Sequence, residues 1–369
     1  LKPTLSKWQF NWAMISFLTG SSLLMAPALT TVYALQDAWI SMIVATLAGV
    51  IINLPLLLLL KKYRYHSIYT LLEAVIGKWG GRFVSLIIVW FAIHLAALIV
   101  RNLSNFMITV VTPNSSIYIY QIMIMGLVVY SAYIGFENVF RVNELLAPFM
   151  VIFLFIALLL VINQFTFQKL KPVLGEGIMP ILKGAYPTIG FPFIEIILIT
   201  VFITYIKQKD KVIPEFLLTL FISGMILTLV IFIAIGDHGP SLISRESYPT
   251  YDLVKDVTAT ELFERIEIIV ATIWIFGIFV KITISFLAAT HGLKYILNRK
   301  TDKIFILPGA ALIIILSNVL HPDIIHFSNF VSTYWTVYWF GLYLLLVVIL
   351  SIGLLFKRHK TLPPMNKSG

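Results

Sequence analysis

Ten apolar runs, each close to the length needed to cross about 30 Å of hydrocarbon, follow one another at approximately 8–33, 38–60, 83–110, 116–135, 143–164, 177–206, 212–236, 263–292, 304–320 and 329–356. In hydrocarbon the backbone must satisfy its own N–H and C=O groups, so runs of this length specify membrane-spanning α-helices. The 59% hydrophobic and 12% charged composition agrees with a polytopic membrane protein, an all-α single domain over 1–369. The formal charge of +10 lies in short clusters between the runs, which argues for membrane topology and against a nucleic-acid partner. With the N-terminus inside, 19 of the 27 Lys and Arg residues fall in segments on that side and 6 in or beside those opposite, placing both termini in the cytoplasm. The apolar run behind Lys2 and Lys7 is too long for a signal-peptide core and is read as a retained first span.

The sixth run is broken. Gly184-Ala185-Tyr186-Pro187-Thr188-Ile189-Gly190-Phe191-Pro192-Phe193-Ile194-Glu195 holds two prolines without N–H groups and two glycines free to leave helical dihedrals. Unwound backbone survives in a bilayer where it faces a cavity, a ligand or other protein, so this stretch is a candidate site, with Glu195 as a rare intramembrane carboxylate. A proline kink that serves packing is the alternative. The first run is interrupted too, at Thr19-Gly20-Ser21-Ser22, with Pro27 beyond. Breaks five spans apart, and the same order of span and connection lengths in each half, predict an inverted five-plus-five repeat: about 1–164, about 177–356, then a polar tail at 357–369. The long connections are 61–82 and 237–262, the second a candidate extracellular lid.

Broken helices offer N–H groups at one half-helix start and carbonyls at the other end. A zwitterion fits between them, its carboxylate near Gly20, Ser21 and Ser22 and its ammonium near the carbonyls of Pro187, Thr188 and Ile189. Gly20 and Gly190 allow close approach, and Thr19 and Phe191 flank the breaks. The alternative for Gly-Ser-Ser is a close helix contact. Trp90, His94, Arg101 and Asn105 share one face of the third span. Arg101 either steers an anion or braces an extracellular gate, or snorkels to outer headgroups, and His94 either relays protons or packs. Lys281 in the eighth span calls for a partner, with Glu195 the candidate for a ligand-opened latch. The other readings of Lys281 are a fixed charge in place of a coupling sodium, or snorkelling. Acidic residues in Glu261-Leu262-Phe263-Glu264-Arg265-Ile266-Glu267 suit the dipole of the eighth span's N-terminus. There are no cysteines, and no metal-ligand spacing, cofactor motif or catalytic constellation stands out, so the chain is not read as an enzyme.

Leu170-Lys171-Pro172-Val173-Leu174 with Gly175 and Gly177, the Phe191–Glu195 turn, Tyr248-Pro249-Thr250, Leu262 to Glu267, Trp274, Phe279-Val280-Lys281 and Arg141-Val142-Asn143-Glu144-Leu145-Leu146 together resemble the spore germination permease family. These are the B-type subunits of nutrient germinant receptors, within the amino acid–polyamine–organocation superfamily. The likeness runs over essentially the whole chain. It implies a fold like that of the leucine transporter, the spore inner membrane, A-type and C-type partner subunits, and a small nutrient, commonly an amino acid, sensed at the centre. Pro187 and Pro192 flank the break more heavily than the family pattern leads one to expect. The rival expectations are a proton-coupled amino acid transporter, using His94, Glu195 and Lys281, and a ligand-gated pore.

Overall fold

The structure is a computed structural model that describes residues 4–257 and 266–356. The residues Glu261 to Arg265 and the tail 357–369 lie outside the described residues. The first span is α1 (Lys7–Thr19) followed by α2 (Ser22–Ala34). Ser6 caps α1 reciprocally: its hydroxyl accepts from Gln9 N at 3.0 Å while the Gln9 side chain accepts from Ser6 N at 3.0 Å. The interruption at Gly20 and Ser21 is two residues long, and both keep right-handed helical dihedrals, so span one is offset there rather than unwound. Pro27 cannot donate to the Leu23 carbonyl four residues back. Thr250 Oγ1 donates to it instead, at 2.5 Å.

Leu35, at φ 47°, turns the chain into α3 (Ala38–Lys62). α4 (Ile68–Phe106) is two helices joined at Gly77, whose φ of 82° and ψ of 170° set the piece before it at an angle to the span. α5 (Ile117–Ile134) and α6 (Phe136–Val161) complete the first repeat. α6 begins several residues before the apolar run at 143, taking in Glu137 and Arg141. The sixth span is α7 (Ile178–Thr188), a widened turn over Ile189–Ile194 in which Phe191 leaves helical geometry at φ −114° and ψ 105°, then a tight helix over Glu195–Tyr205. α8 (Val212–His238), short α9 (Pro240–Ile243) and α10 (Pro249–Val257), and α11 (Ile266–Ile296) follow. α12 (Ile306–Val319) and α13 (Ile324–Thr333) meet at 95°, and α14 (Trp335–Leu355) closes the bundle. Asp323 causes part of that bend by capping α13, accepting from His326 N at 2.7 Å.

Eight helical segments among the described residues are long and apolar enough to cross a membrane, and the bent α12–α13 pair makes nine. Dividing the segment Ser22–Lys62 at the Leu35 turn gives the ten spans of a five-plus-five inverted repeat. Spans two and seven, α3 and α8, pack on each other, and so do spans three and eight, α4 and α11. Each pair joins helices at the same position in the two five-span halves, an arrangement compatible with a pseudo-two-fold axis.

The two ends of the bundle are fastened differently. At the end that carries the N-terminus, Thr4 N and Leu5 N donate to Tyr205 O at 2.9 and 3.0 Å, and Lys207 N donates to Leu5 O at 3.0 Å, tying spans one and six together. Lys7 reinforces the tie through Asp210 and Glu215, both at 3.3 Å. Backbone N–H groups and then Lys7 hold the Asp210 carboxyl below the usual range. Its contribution is therefore present above the unfolded carboxylate range and is lost as pH falls through the lowered value. At the other end α10 packs down as a plug, with Phe106 against Tyr248 and Tyr251 at ring distances of 5.1 and 5.4 Å.

A Cβ on Gly20 would lie 2.7 Å from the backbone carbon and oxygen of Gly277, so spans one and eight touch main chain to main chain. Gly20→Val is expected to lower thermal stability by about 1–3 kcal/mol through overpacking, read by thermal denaturation of the purified protein. Gly126→Ala, inside α5 where no heavy atom lies within 4 Å, is expected to leave it unchanged or raise it by up to about 1 kcal/mol.

Candidate functional site

The sixth-span break and the polar positions of spans one and eight converge on one buried group. Lys281 Nζ, on α11, lies 2.8 Å from Glu195 Oε1 and donates to Ser21 Oγ at 3.1 Å. Neither charged side chain has any exposure. The ammonium stands over the rings of Phe191 and Phe17, at 4.6 and 5.1 Å from their centres. These faces add attraction that strengthens with desolvation. Glu195 Oε2 is buried without a hydrogen-bond partner, and so is Trp335 Nε1. The indole nonetheless lies close enough to Glu195 to act as a loosely aligned hydrogen-bond donor to the carboxylate. The ion pair is thus complete along one edge and only loosely met, by the Trp335 indole, along the other.

Other protein groups take up the backbone released by the break. Thr336 Oγ1 donates to Tyr186 O at 2.8 Å and to Pro187 O at 3.4 Å. Asn53 Nδ2 donates to Phe193 O at 2.9 Å. Gly190 makes the first contact possible, since a Cβ there would lie 2.5 Å from Thr336 Oγ1.

The remaining sequence candidates divide. Gly20 N already donates to Ser16 O at 2.9 Å, and Thr19 Oγ1 turns back to Ile15 O at 2.7 Å. Ser22 Oγ is buried beside them without a partner. Thr188 Oγ1 donates to Ala185 O at 3.0 Å, within its own helix. His94 belongs to a second cluster, its Nε2 3.2 Å from His321 Nε2 and its Nδ1 3.1 Å from the Tyr338 hydroxyl. Trp335 connects the clusters, packing edge-on to His94 with ring centres 5.4 Å apart. Arg101 belongs to neither hydrogen-bonded cluster but borders the second, donating to Asn318 Oδ1 at 2.8 Å and to the carbonyl of Pro322, next to His321, at 2.5 Å, and so braces the α12–α13 bend.

Sequence reasoning did not pick out Trp335, Thr336, Tyr338, His321 or Asn318. The available signal was the bunching of polar and aromatic residues from the end of the ninth apolar run into the start of the tenth. A cavity of about 410 Å³ lies between α2, the α9–α10 connection and α13, lined in part by Tyr33, Arg245 and Asn329. Among the described residues no cluster of three or more His, Cys, Asp or Glu could hold a metal ion.

The pattern of the family described as "Spore germination protein" matches residues 4–323. Spore germination protein YndE of Bacillus subtilis (strain 168) is 27% identical over 78% of this chain and 79% of its own length. Spore germination protein KB of the same organism is 28% identical over 86% of this chain and 85% of its own. Among solved structures, MhsT in complex with L-phenylalanine matches with a TM-score of 0.71 at 11% identity, over 96% of this chain and 99% of that one. That likeness is one of fold, and the fold is like that of the leucine transporter.

The buried pair generates a stability prediction. Removing one partner strands the other charge, so Lys281→Met and Glu195→Gln are each expected to lose about 3–5 kcal/mol. The double variant Glu195→Gln/Lys281→Met is expected to lose less than either, since it leaves no buried charge. Thermal denaturation of the four proteins checks this, and strictly additive losses would count against coupling.

Proposed function

The chain belongs to the spore germination protein family, and on that premise we propose that it is the nutrient-sensing subunit of a germination receptor, with an amino acid as ligand at the midplane. The observation that carries this reading is the fully buried Lys281–Glu195 pair, met by Ser21 at one span break and Phe191 at the other. A free amino acid carries the same two charges on one small frame. Its carboxylate takes Lys281 and Ser21, and its ammonium takes Glu195, whose second oxygen is met only loosely by the Trp335 indole. Two charge-assisted contacts then replace one, in a site where both protein charges are already stripped of water. A simple anion or cation satisfies one protein charge and strands the other.

Signalling follows from where the pair sits. Glu195 belongs to span six and Lys281 to span eight, so parting them alters the packing of one repeat element against another. The ligand favours the parted state by its differential affinity for it, and the A-type and C-type subunits read that state. The protein resides in the spore inner membrane, with both termini cytoplasmic by the Lys and Arg bias.

A second reading, a proton-coupled amino acid transporter, draws on the His94–His321–Tyr338 cluster joined to the pair through Trp335. Radiolabelled amino acid uptake in sealed proteoliposomes separates the two: binding without uptake supports the sensor, and concentrative uptake driven by a proton gradient supports the transporter. In a calorimetric screen of amino acids against the purified protein, binding is expected to need both charges. Lys281→Met and Glu195→Gln are each expected to weaken the bound amino acid by about tenfold or more, the worth of one charge-assisted hydrogen bond. Unchanged affinity in both variants would remove the pair from the site.

A further inference from the structure

A cavity of about 570 Å³ opens at the N-terminal end of the bundle, between the two pieces of α4, the last turns of α11 and the end of span six. Four cationic side chains line it, Lys78 and Arg82 from α4 and Lys294 and Arg299 at the end of α11. Among the described residues none of the four is held in an ion pair, and Arg82 Nε is buried without a hydrogen-bond partner. The one carboxylate in the lining, Glu73, accepts from the Tyr295 hydroxyl through Oε2 at 2.7 Å and sets one negative charge against the four positive ones. The nearby Asp302 faces His291 at 3.2 Å. Unpaired like charges converging on a cavity repel one another, and a multiply charged anion relieves that repulsion. The volume falls within the range of small-molecule sites, and guanidinium groups suit the paired oxygens of a phosphate.

We infer that this cavity is a binding site for a phosphate-bearing anion, separate from the midplane pair. Lys281 and Lys294 are thirteen residues apart on α11, about 20 Å along a helix, so the two sites share a helix and do not share a ligand. Gly77 makes the site possible, because its positive φ turns the piece before it so that Glu73 and Lys78 face one cavity. An anion here bridges α4 to α11, the spans related by the pseudo-two-fold, and stiffens the closed end. The phosphate belongs either to a lipid headgroup or to a soluble phosphate ester, and the two sources call for the same recognition chemistry.

The test uses the full-length protein and its Arg82→Gln/Lys294→Gln variant, with Glu73→Gln as a control that keeps an acceptor for Tyr295 while removing negative charge. Thermal stability is measured against inorganic phosphate, with chloride at equal ionic strength as reference. It is measured again in nanodiscs of phosphatidylcholine with and without phosphatidylglycerol. Stabilisation by inorganic phosphate that falls about tenfold in apparent affinity in the double variant supports the site with a soluble source. Stabilisation by phosphatidylglycerol alone, lost in the double variant, supports it with a lipid source. In either case Glu73→Gln is expected to bind as tightly as the wild type or more tightly. No response to either anion, an equal response in the double variant, or a loss in Glu73→Gln matching that of the double variant would overturn the inference.

Discussion

A lysine and a glutamate with no access to water, 2.8 Å apart in the middle of a membrane protein, set the terms for the rest of the fold. Each charge alone would be too costly to bury, and together they persist only if the surrounding helices keep them in register. The small residues beside them serve that register. Gly20 lets span one meet Gly277 main chain to main chain, which brings Ser21 to the ammonium. Gly190 lets α14 press in so that Thr336 takes the carbonyls released by the break. With those carbonyls satisfied by protein, the polarity left over at the centre resides in side chains, chiefly the second carboxylate oxygen of Glu195.

That distribution differs from the one that main-chain reasoning favours. Proline and glycine in a membrane span announce a break, and the sixth span is indeed opened at Phe191. The first span carries a similar signature, yet Gly20 and Ser21 remain helical in dihedral and Gly20 N keeps its Ser16 partner. The reason is local. Gly20 lowers the cost of leaving the helix without compelling it, and Pro27 lies inside α2 with the Leu23 carbonyl taken by Thr250, whereas Pro192 deletes a donor within the opened turn itself. The span count and the inverted repeat were legible because hydrocarbon thickness and charge bias act on long stretches of chain. Lys281 and Glu195 were legible because charged residues are rare inside spans.

What the sequence hid were contacts that depend on helix rotation and on a sharp bend. The apolar runs at 304–320 and 329–356 read as two plain spans, but Asp323 starts a separate helix, and the chain turns through 95° before α13. That turn carries His321 to His94 and gives Arg101 two partners near the bend. The bundle is therefore fastened at one end by the Tyr205 tie and covered at the other by α10, with the charged centre enclosed between them.

The central claim is that an amino acid works by parting Lys281 from Glu195 and occupying both. Determining the structure with a bound amino acid tests it most directly. The account predicts that the Nζ–Oε1 separation opens from 2.8 Å to beyond hydrogen-bond reach, with the ligand carboxylate on Lys281 and its ammonium on Glu195. A bound amino acid located elsewhere, with the ion pair still closed, would contradict it.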